Sequence, residues 1–251
     1  MNASDLKLPK PPIVEAVLDI DCDLPPGQQL AALEERARAR YGEDYPRFRT
    51  VWMEKHHVEA NPDQPTKVSV EQGIKAFHFL QEDEKQLIQM RVQGFAFNRL
   101  APYTSLDDYL PEIEGAWKSY VDLASPVQIR RISLRYINRI VLPSKERCVT
   151  LDHYLRIGPR SPDQAKLRLV GFLNQQAAVE VGTGHQVNIL LSSQPEEGEK
   201  LPIIFDNSAT AEEAGRPEDW AWILGKIQAL RDLKNRVFQN TLTEECLNLF
   251  R

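Results

Sequence analysis

The sequence predicts an α+β protein: a mostly antiparallel sheet from two β-α-β-β-β-α halves, with the helices packed on one face. Three observations predict it. Long stretches alternate with period two, as where Val68, Val70, Ile74 and Ala76 face one way and Lys67, Glu71 and Lys75 the other. Two other stretches carry apolar residues at helical spacing, and each closes one half of the chain. The order strand, helix, three strands, helix is then met twice, over about residues 12–125 and 126–251, without strong residue-level identity between the halves.

Each element has its own signal. After a Pro- and Lys-rich lead-in to Pro12, residues 13–21 read as a strand with Val14, Ala16, Leu18 and Ile20 on one face. Pro25-Pro26-Gly27 breaks it. Residues 28–41 read as a helix through Leu30, Leu33, Ala37 and Tyr41, supported by the Glu34/Arg38 pair and ended by Gly42. Residues 47–58 are strand-like, and residues 67–80 and 86–99 form a long pair about the charged turn Glu82-Asp83-Glu84-Lys85. Ser105 caps a helix with Asp107 and Asp108 in its first turn, where the helix dipole favours anions. Its stripe includes Leu106, Ile113, Trp117 and Tyr120, and Ser125-Pro126 ends it.

The second half continues with a strand over residues 127–142 and a short helix over 151–156. Strands over 166–181 and 185–193 meet at the Gly182-Thr183-Gly184 turn, and 201–206 forms another. Pro217 takes the first position of a helix, with Glu218 and Asp219 in its first turn and a stripe through Ile223, Ile227, Leu230, Leu233 and Val237. Thr243 caps a last short helix.

Composition narrows the class without fixing a role. The 42% hydrophobic and 27% charged residues are ordinary globular values, so 251 residues suffice for one self-sufficient core. A net charge of −5 argues against a nucleic-acid binder that relies on bulk attraction. Cys22, Cys148 and Cys246 lie far apart with no CxxC pair, which fits a reducing compartment. The opening MNASDLKLPKPP lacks the apolar segment of a signal peptide, and no run approaches the ~18 apolar residues of a membrane span. The expectation is a cytoplasmic protein with no membrane association.

The residues that carry recognition chemistry are arginines and phenylalanines on strands. Alternation sets Arg131, Ser133, Arg135, Ile137 and Arg139 on one side of residues 127–142. Arginines repeated on one face repel each other unless something anionic answers them. Arg91, Gln93, Phe95, Phe97 and Arg99 share a face of residues 86–99. Were the two faces the same, guanidinium forks and aromatic planes would interleave, a surface suited to phosphates, stacked bases or an acidic peptide. The binding residues expected are thus Arg91, Phe95, Phe97, Arg99, Arg131, Arg135 and Arg139. The plainer alternative pairs these arginines with cross-strand acids such as Glu71 and Glu180 or with the acidic loops, and buries the phenylalanines under a loop.

Other candidates carry less. Asn98-Arg99 and Asn138-Arg139 each stand at a strand end before a proline, where asparagine bonds local backbone. His56 and His57 are adjacent on a strand and point apart, while His78, His153 and His185 lack a metal-ligand spacing. Val181-Gly-Thr-Gly-His185 lacks the ending of a phosphate loop. Asp19, Asp21 and Asp23 guard a strand end or hold a cation. No cofactor and no metal are expected.

Pro11-Pro12-Ile13-Val14-Glu15-Ala16, Phe97-Asn98-Arg99-Leu100-Ala101-Pro102-Tyr103 with Trp117 and Tyr120, Arg135-Tyr136-Ile137-Asn138-Arg139-Ile140 and the closing Leu230 to Phe250 stretch resemble a family of uncharacterised prokaryotic proteins. That family is of about this length and sporadically distributed. The resemblance spans nearly the whole chain, which implies one unit, and implies no activity. A scattered distribution is similar to that of mobile-element or defence genes. The expected function is a non-enzymatic binding or assembly protein with a protein partner, an accessory in such a system. A nucleic-acid clamp is the second expectation, and an enzyme with a dispersed site (Asp19, Asp21, Glu71, Arg135, Arg139) the third.

Overall fold

The computed structural model describes residues 8–61, 64–144, 149–159, 166–167 and 170–251. Residues 1–7 of the expected lead-in, Cys148, residues 168–169 of an expected strand, and the side chains of His57, Lys67 and Val68 lie outside the described residues. The first strand, β1 (Ile13–Asp23), leads through a 3-10 turn (Leu30–Leu33) into α1 (Glu34–Tyr41). Strands β2 (Arg47–Asn61), β3 (Gln64–Leu80), β4 (Gln86–Arg91) and β5 (Gly94–Leu100) follow, then α2 (Leu106–Ala124). The second half runs β6 (Gln128–Pro143), β7 (Leu173–Val179), β8 (Gln186–Ser193), β9 (Lys200–Ala211), α3 (Trp220–Thr241) and α4 (Glu244–Asn248).

The nine strands form one sheet in the order β2-β3-β4-β5-β1-β6-β9-β8-β7, and each neighbouring pair is antiparallel. The fold is therefore α+β on an antiparallel sheet. The expected three-strand run of the first half is four strands. Val92 and Gln93 form a two-residue turn, and Gly94, with φ +139°, closes it opposite Arg91. A two-residue hairpin pairs even positions of β4 with odd positions of β5, so Met90 opposes Phe95 and Ile88 opposes Phe97. The expected helix over 151–156 is a 3-10 turn, Leu151–His153, and the strands expected over 166–181 and 201–206 are Leu173–Val179 and Lys200–Ala211. The boundary of α3 also shifts. Asp219 caps it by accepting from the Trp222 amide at 3.0 Å, so the helix starts after Pro217 rather than at it.

Pleating places Ala16, Leu18, Ile20 and Cys22 of β1 in the core together with Phe95 and Phe97 of β5 and Ile132, Leu134 and Tyr136 of β6. Trp117 and Tyr120 of α2 and Ile223, Ile227 and Leu230 of α3 complete the same buried cluster. A second cluster joins Ile140, Leu142 and Phe205 to Phe238, Leu242, Cys246 and Phe250. No helix among the described residues is long and apolar enough to cross a membrane.

At one edge the sheet runs out into a ribbon. Strand β3 pairs with β4 only over Ala76–Leu80, while β2 and β3 go on pairing with each other from Trp52/Ile74 to Asn61/Gln64. A shift in register between Val51 and Trp52 puts one extra residue on β3. Because of it Ile74 packs toward the core, whereas Ala76 pairs with Arg91 and does not share its face, so the expected uniform alternation of β3 is broken there.

Candidate functional site

The arginines and phenylalanines expected to interleave are separated by the sheet. Phe95 and Phe97 are buried, Phe95 with its ring 5.7 Å from Trp117 and 5.8 Å from Tyr120. Arg99 follows them on that face and lies over the Tyr109 ring at 5.4 Å. Arg91, Arg131, Arg135 and Arg139 lie on the opposite face, because Arg91 precedes the hairpin and Val17, on the outward side of β1, opposes Arg135. The physical reason is the turn at Val92-Gln93, which reverses the chain between Arg91 and Phe95.

Each arginine of the outward face is answered by an acid of the same chain. Arg91 reaches Asp19 at 2.8 Å and Asp21 at 2.9 Å, and Arg131 reaches the other oxygen of Asp21 at 2.5 Å. Arg135 forks onto Asp206 with Nε at 2.8 Å, and Arg139 pairs with Glu197 at 2.6 Å. Burial holds the Asp19 carboxyl above its ordinary range, against the pull of Arg91. Asp23 pairs with Arg130 at 3.0 Å, so all three aspartates of this strand serve arginines. The acids are Asp19, Asp21, Asp206 and Glu197; Glu197 stands in one of the expected acidic loops, whereas Glu71 and Glu180 do not serve these arginines. Glu71 stands on the ribbon opposite Lys55, and Glu180 pairs with Arg236. The dispersed set Asp19, Asp21, Arg135 and Arg139 thus shares one face of the central strands, whereas Glu71 stands out on the ribbon.

The two Asn-Arg pairs differ in role. Asn138 donates to the Phe205 carbonyl at 2.9 Å and is a buried backbone clamp. Asn98 accepts from Gln89 at 2.8 Å and donates to Glu15 at 2.7 Å, joining three strands. His185, after the Gly182-Thr183-Gly184 turn, is buried between Glu180 and Glu213 at 3.7 and 3.5 Å. Among the described residues no cluster of acids, histidines and cysteines is arranged to hold a metal ion.

A cavity of about 580 Å³ opens elsewhere, between α2, α3, β6 and the lead-in. One wall is the first turn of α2, where Ser105 accepts from the Asp108 amide at 3.3 Å. Its floor is Tyr136 and Asn138 of β6, and Tyr103 meets Tyr136 hydroxyl to hydroxyl at 2.6 Å. Arg231 of α3 crosses to Asp107 at 2.6 Å and bridges the two helices at the rim. Lys234, one turn on, is only 5% exposed, and its Nζ lies 3.4 Å from the centroid of the Tyr136 ring. Burial holds its amine well below the ordinary lysine range, and Arg231 adds to that. The same burial pushes the Tyr136 hydroxyl up to about 12. Pro11, Pro12, Ile13 and Phe238 supply an apolar side. The volume falls within the usual range for small-molecule sites, roughly 300–1,000 Å³.

None of Lys234, Tyr103, Tyr136 or Arg231 was expected from sequence as a site residue. A signal was nevertheless present: Lys234 is four residues after Leu230 and four before Phe238, on the apolar stripe of the helix. The chain matches no protein-family model and none of the curated proteins.

Proposed function

We propose that this chain is a non-enzymatic binding and assembly protein that engages a protein partner through the β2–β3 ribbon. Its setting on this reading is the cytoplasm, as an accessory of a bacterial defence or mobile-element system, the context suggested by the family resemblance. The reading treats the chain as one unit of two halves, about residues 12–125 and 126–251, with helices on one face of the sheet.

The observation that carries it is a set of large apolar side chains exposed on one face of the ribbon, with Glu54, His56 and Gln72 between them. Trp52 is 63% exposed, Val58 63% and Val70 52%. The pairings Trp52/Ile74, His56/Val70 and Val58/Val68 put them on one face. A two-stranded ribbon is marginal in water by itself, and a large apolar side chain covered by a partner contributes roughly 1.5–3 kcal/mol. Strand β2 is also the sheet edge, with a row of unpaired backbone groups that a partner strand can use. The arginine face is not part of this reading, because its guanidinium groups already hold carboxylates. For the same reason a nucleic-acid clamp has little to neutralise phosphates with.

The test uses two variants: Trp52→Ser with Val58→Ser and Val70→Ser, and a chain in which residues 53–73 are replaced by Asn-Gly, which spans the Trp52/Ile74 pair as a two-residue turn. Wild-type protein purified from its native cell is expected to carry a stoichiometric partner. Both variants should keep the circular dichroism of the sheet and lose that partner. Unchanged recovery with both, or turnover of nucleotide, nucleic acid or peptide by the isolated chain, would refute the proposal.

A further inference from the structure

We infer that the cavity between α2, α3 and β6 is a binding site for a small monocarboxylate with an apolar body, and that Lys234 is its counter-ion. Lys234 is 95% buried, as its 5% exposure states. Among the described residues no carboxylate lies within ion-pair distance of its amine, whose recorded contact is the face of Tyr136 at 3.4 Å. Burying a cation without an anion is costly, and such sites are ordinarily filled by a partner charge. Lys234 lines a cavity large enough to admit that partner.

The surroundings select the chemistry. Arg231 is engaged by Asp107 across the rim, and hydrogen bonds from Thr104 and Ser105 hold the Asp108 carboxyl below its ordinary range. Lys234 is then the one cation of the cavity without an anionic partner among the described residues, which matches a single negative charge. A phosphate dianion would face Asp107 and Asp108 with its second charge. The Tyr103–Tyr136 hydroxyl pair shares one hydrogen between its two oxygens and has a second to donate to a carboxylate oxygen. Pro11, Pro12, Ile13 and Phe238 offer an apolar side to the remainder of the ligand. The titratable groups that line the cavity with Lys234 are Tyr136 from β6, Tyr103, Asp107 and Asp108 from α2 and its approach, and Arg231 from α3, of which Arg231 adds to the effect of burial on the amine. Burial lowers the proton affinity of the amine, and an arriving carboxylate raises it again.

Octanoate, phenylacetate and 1-octanol serve as probes in calorimetric titrations of the full chain at about pH 7. Octanoate or phenylacetate is expected to bind, and roughly tenfold or more tighter than 1-octanol, as one charge-assisted hydrogen bond provides. Lys234→Met, close in shape and apolar, should abolish the preference for the acid while still admitting 1-octanol. The inference is overturned if neither acid binds, if the acid and the alcohol bind alike to the wild type, or if Lys234→Met retains the preference. Should Lys234→Met fail to fold, the acid-to-alcohol ratio of the wild type decides by itself. The outcome is independent of the ribbon, which lies on other strands.

Discussion

Lys234 occupies a position where the periodicity of α3 places core, and the cost of putting an amine there is the most testable property of a single residue in this molecule. Its proton affinity is lower in the folded chain than in the unfolded one, where an ordinary lysine titrates near ~10.4. The unfolded state therefore binds more protons across the interval between the two values, and wild-type stability rises with pH through that interval. Lys234→Met removes the penalty and is expected to raise stability by roughly 1–3 kcal/mol near neutral pH. The gain should shrink as the pH approaches ~10.4. Urea midpoints of both proteins over a pH series measure this, and a constant difference would contradict it. The outward arginines differ in kind: Asp21, whose side chain is 11% exposed, ties Arg91 and Arg131 together, whereas the exposed Arg139–Glu197 pair belongs to the class worth under about 1 kcal/mol.

Among elements, the β4–β5 hairpin decides which side chains meet. Gly94 has φ +139°, and a Cβ there would stand 2.2 Å from the Ile20 carbonyl oxygen of the neighbouring strand. Gly94→Ala combines backbone strain with that clash, and is expected to cost roughly 2–4 kcal/mol. Gly225 lies in α3 with open space where its Cβ would be. There Gly225→Ala should instead stabilise by roughly 0.5–1 kcal/mol, since a helix-interior glycine gives up backbone entropy for nothing. Chemical denaturation of the two variants reads both signs. The hairpin is also the element least legible in the sequence. Val92-Gln93-Gly94 lacks the Asn-Gly or Asp-Gly that marks a tight turn, and apolar residues continue on both sides of it.

Over the whole molecule, stability is distributed from the middle of the sheet outward. Strand β1 is paired on both sides, with β5 and β6, and its inward residues are in the main core. The ribbon beyond Trp52 and Ile74 has only its own partner strand. Amide exchange is expected to be slowest in β1 and β6 and fastest in the ribbon, with the ribbon protected when a partner is bound. Equal protection of ribbon and centre in the isolated chain would contradict both this gradient and the idea that the ribbon awaits a cover.

The sequence by itself determined the fold class, the caps at Ser105 and Thr243, and the inward and outward residues of β1 and β6. These are local properties: period, capping chemistry and charge are carried by neighbours along the chain. Which strands lie side by side, that Phe95 and Arg91 take opposite faces, that Arg135 finds Asp206, and that Lys234 overlooks a cavity with Tyr136 were decided only by the tertiary structure. Each joins residues far apart in the chain, and pleating sorts side chains into two faces without stating which face of one strand continues that of another.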